Sequence, residues 1–198
     1  MSVMLCFIVT LLDPCGIIGV KEEWQAANLL PPTFPSAAAI DDTVSPTVPS
    51  WRCFVDAALF TEHRRTGCAA VLCDPHGRFV QAFSSVRDGV LLASQAEAVA
   101  LRNALQWIVN THPGSGMIFT DAQSLFLALR RTDSEDRSGV GFLVDDCKSL
   151  LASRPDICVS WISRNLNLAA HCLARASLSF GSFTTWNIIP DCIRFLFA

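Results

Sequence analysis

The chain has 198 residues, enough for one domain of ordinary size with an extension. Hydrophobic residues make up 51% and charged residues 17%, which supports a buried core and argues against global disorder. The net charge of -3 is uneven: one basic residue faces five acidic ones before position 51, and 14 face 13 from there on, so no basic stripe marks a tight nonspecific nucleic-acid binder.

The start, MSVMLCFIVTLLDPCGIIGV, is apolar, but Asp13 and Pro14 interrupt it well short of the roughly 20 apolar residues a membrane span needs. It also fits poorly the basic leader and small-residue cleavage site of a signal peptide; it reads as a poorly ordered extension, with a cleaved or anchoring segment as the alternative. Residues 30 to 50, LPPTFPSAAAIDDTVSPTVPS, are rich in Pro, Ser and Thr without hydrophobic periodicity, the mark of a poorly ordered linker. Extension and linker therefore cover residues 1–50, and the domain covers 51–198.

From Trp51 the pattern predicts three strands, CFVDAAL, GCAAVLCD and RFVQAFSSV, with the DPHG between the last two supplying a tight hairpin turn. Antiparallel pairing of the three follows. Ser94 to Val109 places Ala96, Val99, Ala100, Asn103, Ala104 and Trp107 at helical spacing, and HPGSG ends that helix. MIFTD is a short buried strand and AQSLFLALRR a helix that stops at the polar TDSEDRSG. VGFLVDDCKSLLAS is a further helix, ICVSWIS a last strand and NLNLAAHCLARASL a last helix. Strands joined by helices after the hairpins imply a mixed sheet with helices on its faces.

The nine cysteines are odd in number and contain no CxxC pair; several fall on apolar positions, so they read as reduced and structural. A reducing compartment, nuclear or cytoplasmic, is expected. His63, His76 and His112 stand in turns or loops without ligand spacing and read as solvated.

Three carboxylates carry the chemistry. Asp56 closes the apolar run in WRCFVDAA and is expected exposed at a strand end; Glu97 lies in the first turns of SQAEAVALRNAL; Asp121 directly follows the strand MIFT. Together they form a constellation able to hold divalent metal against phosphate. Taken singly, Asp121 could cap the helix that follows it, and Glu97 could be a solvated residue of a helix face.

The segments FVDAA, GCAAVLCDPHGRFVQAFS, AEAVALRNAL, TDAQS and SRNLNLAAHCLA, in that order, resemble the ribonuclease H-like domain of plant retrotransposon-derived proteins, the type 1 family associated with reverse transcriptases. The resemblance covers about residues 51 to 198. It implies an α/β fold with a five-stranded mixed sheet, three antiparallel strands and then two parallel, flanked by helices. It also implies hydrolysis of the RNA strand of RNA–DNA hybrids with two Mg²⁺ ions, for which Mn²⁺ could substitute. Asp56 would bridge both ions while Glu97 and Asp121 complete the shell, one ion activating water and the other stabilising the leaving oxygen.

Two positions depart from the family pattern. His171 in Asn167-Leu168-Ala169-Ala170-His171-Cys172-Leu173-Ala174 stands where a fourth catalytic Asp is expected. Imidazole is softer and carries no negative charge, so His171 either ligates a second, weaker ion or only packs and hydrogen-bonds. Trp161 stands near the position of a histidine that helps release product, and it either stacks on a base or packs half-buried on its strand. Gln123, Arg164 and Asn167 match the pattern and are expected to contact nucleic acid, with Arg164 otherwise an exposed charge and Gln123 otherwise a polar residue in the first turn of a helix. Three readings follow: a nuclease of RNA–DNA hybrids with catalytic Asp56, Glu97, Asp121 and His171; a domesticated or decaying copy that keeps the fold and weak nucleic-acid binding; and an unrelated α/β interaction module. A monomer without membrane association is the default.

Overall fold

The computed structural model describes residues 49–131 and 138–197; the apolar start, the linker up to Thr47 and Val48, and the polar segment 132–137 lie outside the described residues. Strands β1 (Trp51–Phe60), β2 (Arg65–Cys73) and β3 (Phe79–Asp88) pair antiparallel in sequence. Strands β4 (Gly116–Thr120) and β5 (Ile157–Trp161) add in parallel on the far side of β1. The turn between β2 and β3 is built by Asp74, whose Oδ1 accepts from the backbone N–H of His76 and Arg78, while Gly77 takes a left-handed φ of 77°.

The sheet has six strands in the order β5-β4-β1-β2-β3-β6, not five. The addition, β6 (Phe183–Trp186), is antiparallel to β3 and covers backbone groups that would otherwise be an open edge. Its four residues, FTTW, are too short a run for period-two patterning to mark as a strand.

Side-chain alternation along β1 divides the core. Trp51, Cys53 and Val55 face one side, where helices α1 (Ala93–Thr111), α2 (Gln123–Arg130) and α3 (Gly139–Ser153) bring Leu101, Leu105, Ile108, Leu125, Val144 and Cys147. Phe54 and Ala58 face the other side, against helix α4 (Leu168–Ala176) and the 3₁₀ segment Asp191–Leu196. Covered on both faces, β2 reads as the continuous apolar GCAAVLC.

Two glycines let elements close up. A Cβ on Gly116 would lie 2.2 Å from the Trp51 indole, and one on Gly67 would meet Ser177 Oγ at 2.1 Å and the Ala174 carbonyl at 3.1 Å. Helix α1 is set at its start by Gln95, whose Oε1 accepts from the Leu92 N–H, and α3 by Ser138, whose Oγ accepts from the Gly141 N–H. Contrary to expectation, His112 is not solvated: its Nε2 lies 2.9 Å from Gln81 Oε1 and its ring stands edge-on to Trp107, because α1 ends over the sheet. Burial lowers its pKa. His63 and His76 are exposed as expected, and all seven described cysteines are free thiols. No described helix is long and apolar enough to cross a membrane.

Candidate metal centre

The site forms where one ladder ends and another continues. Pairing between β1 and β4 stops at Phe54 and Phe119, whereas β1 runs on with β2 through Phe60. Asp56 therefore sits within β1, two residues past the last β4 pair, and Asp121 follows the end of β4. This corrects the expected exposed strand end: Asp56 is only 3% exposed, because AALF continues the strand and α4 covers the side chain. Glu97, in the first turns of α1, comes in from the other layer. One carboxylate oxygen each from Asp56, Glu97 and Asp121 lie within 4.8 Å of one another.

Each aspartate has one oxygen held by a nitrogen. His171 Nδ1 lies 2.7 Å from Asp56 Oδ2, and Asn167 Nδ2 donates to Asp121 Oδ1 at 2.8 Å and to the Val55 carbonyl at 2.9 Å. Asp121 does not cap α2: the helix start has no side-chain cap, and the Ala122 N–H is taken by Thr120 Oγ1. The helix-cap explanation for Asp121 thus fails on geometry.

Glu97 is different, since its Oε2 is buried without a hydrogen-bond partner. Burial first, then the charges of Asp56 and Asp121 and a hydrogen bond to Asp56, push its carboxyl up to about 9, with Arg164 pulling the other way. In the absence of a cation the cluster keeps a proton. Three converging carboxyls, one of them protonated and with an orphaned buried oxygen, fit a hard divalent cation.

The remaining expected residues divide. Gln123, first residue of α2, and Arg164 are exposed at the rim. Trp161 is 42% exposed at the end of β5 and its Nε1 donates to the Asp121 carbonyl, which fixes one indole edge. Asn167 is not a nucleic-acid contact: it is fully buried, and the hydrogen bonds of its Nδ2 to the Val55 carbonyl and to Asp121 Oδ1 tie β1 to the residue after β4. That clamp was missed in the sequence because an Asn ahead of an alanine-rich helix carries no sign of which strands it will reach. His171 joins the carboxylates through Asp56, and the ligand-capable cluster among the described residues consists of the three carboxylates.

A family model described as reverse transcriptase-like matches residues 54–177. The fold is similar to ribonuclease H1 of the archaeon Halobacterium salinarum, at 20% identity over 65% of this chain and 97% of that one, TM-score 0.59. It is also similar to LC11-RNase H1, isolated from compost by a metagenomic approach and solved in complex with an RNA/DNA hybrid, at 15% identity over 65% and 96% of the two chains, TM-score 0.58. A third similar structure is a foamy viral protease-reverse transcriptase in complex with dsDNA, at 16% identity over 65% and 94%, TM-score 0.53. No curated protein sequence matches the chain. The architecture is thus ribonuclease H-like, a mixed α/β sheet with helices on both faces.

Proposed function

Starting from the chain's membership of the reverse transcriptase-like family, we propose that it is a divalent-metal-dependent nuclease that hydrolyses the RNA strand of RNA–DNA hybrids. The observation that carries this reading is the convergence of Asp56, Glu97 and Asp121 at the point where β4 ends and β1 continues. Asp56, Glu97 and Asp121 would hold Mg²⁺ or Mn²⁺, whose chemistry is to acidify a bound water and polarise a phosphate. Asn167 keeps Asp121 in place and His171 keeps Asp56 in place. Glu97 gives up its proton when a cation arrives, so the cluster is neutral enough to fold without metal and anionic enough to bind it.

Arg164 and Gln123 stand exposed beside the cluster, where a phosphate backbone can reach them. Arg164 also acts electrostatically on Glu97, so it is near enough to offset phosphate charge drawn to the site. The exposed Trp161 offers an indole face for a base. An RNA strand would be recognised through its 2′-hydroxyls and backbone shape. The near-balance of charge from residue 51 onward points to modest affinity with a shallow salt dependence, since few phosphates are neutralised.

The His171 bond to Asp56 favours a second reading, in which the chain binds hybrids but turns them over weakly or not at all, because the imidazole occupies an oxygen that a catalytic cation would use. The test is cleavage of end-labelled RNA in an RNA–DNA hybrid by the full chain, beside duplex DNA and duplex RNA, with Asp56→Asn as control. Hybrid-specific cleavage lost in the control supports the nuclease. Hybrid binding without cleavage selects the second reading, and neither binding nor cleavage refutes both.

A further inference from the structure

We infer that this site takes one divalent cation per chain, not two, and that His171 sets that number; the inference rests on the metal-dependent reading above. The two aspartates offer four oxygens, of which two are already engaged: Asp56 Oδ2 by His171 Nδ1 at 2.7 Å, and Asp121 Oδ1 by Asn167 Nδ2 at 2.8 Å. Both nitrogens are fixed by their surroundings. Asn167 is fully buried and also donates to the Val55 carbonyl, and His171 rides on α4, whose Ala169, Ala170, Leu173 and Ala174 are packed with no exposure against the sheet. What remains is one oxygen from each aspartate and the carboxylate of Glu97, with its buried and unpartnered Oε2. Three protein oxygens completed by water suit a single Mg²⁺ or Mn²⁺.

A second cation that takes the other oxygen of Asp56 meets Oδ2, the oxygen His171 holds. Divalent magnesium sits about 2.1 Å from its oxygen ligands. The imidazole nitrogen is 2.7 Å from that oxygen and takes up one of its two lone-pair sites, so a cation on Oδ2 would be crowded by the ring. Charge argues the same way. Three carboxylates carry at most three negative charges; one divalent ion leaves a net negative site for it to bind, whereas two would make the site positive beside Arg164. Helix α4, LAAHCLARA, brings no carboxylate of its own to redress that balance. His171 therefore acts as a positioning residue that turns one face of Asp56 away from metal.

The test is Mn²⁺ titration of the full chain by calorimetry with electron paramagnetic resonance, in the wild type and in His171→Asp, each checked for a cooperative urea transition. The expected result is one magnetically isolated Mn²⁺ in the wild type and two exchange-coupled ions in the variant, a doubling of stoichiometry. Two ions in the wild type would overturn the inference, as would one ion in a folded His171→Asp. A variant-independent check is the side-chain ¹⁵N spectrum of wild-type His171 at saturating Mg²⁺: a retained Nδ1 hydrogen bond supports the inference and its loss overturns it. Absence of binding in both proteins would instead remove the metal reading itself, and this inference with it.

Discussion

Glu97→Gln probes the electrostatics of the acidic cluster. In the metal-free chain, burial and the neighbouring Asp56 and Asp121 raise the Glu97 carboxyl from 4.5 to about 9. Between those values the folded protein holds a proton that the unfolded chain has released, so stability is full below the unfolded value and falls as pH rises towards the folded one. One proton corresponds to a slope of up to about 1.4 kcal/mol per pH unit, hence up to about 3 kcal/mol between pH 6 and pH 8. Glutamine keeps the shape and cannot ionise, so Glu97→Gln should lose that slope while other titrating groups act alike in both proteins. Urea transitions at pH 6, 7 and 8 in EDTA measure it. Saturating Mg²⁺ should flatten the wild-type slope as well, because the cation replaces the proton. Parallel pH profiles for wild type and Glu97→Gln in EDTA would refute the reasoning.

Other substitutions follow from the same contacts. Asn167→Ala removes a bond to a carbonyl and one to a carboxylate from a fully buried residue, and should cost about 3 kcal/mol in urea unfolding; a loss under about 1 kcal/mol would show that the clamp is idle. Gly116→Ala pushes a methyl into the buried Trp51 indole, and a melting temperature unchanged from wild type would contradict the 2.2 Å approach. Phe83→Ala empties a fully buried site stacked with Phe183 and edge-on to Trp107, with an expected loss of about 3–5 kcal/mol in chemical denaturation. Asp56→Asn should abolish thermal stabilisation by Mg²⁺, which for the wild type at 100 times Kd amounts to about 2.7 kcal/mol.

The sequence showed the order of strands and helices because each carried its own local signal: DPHG for the hairpin, helical spacing from Ser94 to Val109, and short apolar runs at MIFT and ICVSW. The three carboxylates were also legible, since two of them flank apolar runs and the third starts an amphipathic helix. What was hidden depends on partners distant in the chain. Asp56 looked like a strand end because AALF is weakly patterned, yet the β2 ladder carries the strand four residues further. Strand β6 exists because β3 needs an outer neighbour, which its own four residues do not announce. His112 looked like a loop residue, but the fold sets it against Gln81, 31 positions away. Asn167 resembled a surface contact and is instead an internal tie between β1 and Asp121, and the His171 bond to Asp56 spans 115 positions.

The central claim is that cation binding and hybrid cleavage belong to one site formed by Asp56, Glu97 and Asp121. The most direct measurement is a Mg²⁺ titration of the full chain in which thermal stabilisation and cleavage of a labelled RNA–DNA hybrid are followed on the same samples. The account predicts that both rise together with one midpoint and that both vanish in Asp121→Asn. Cleavage that persists in the folded Asp121→Asn protein, or that rises at Mg²⁺ concentrations unrelated to the stabilisation, would contradict it.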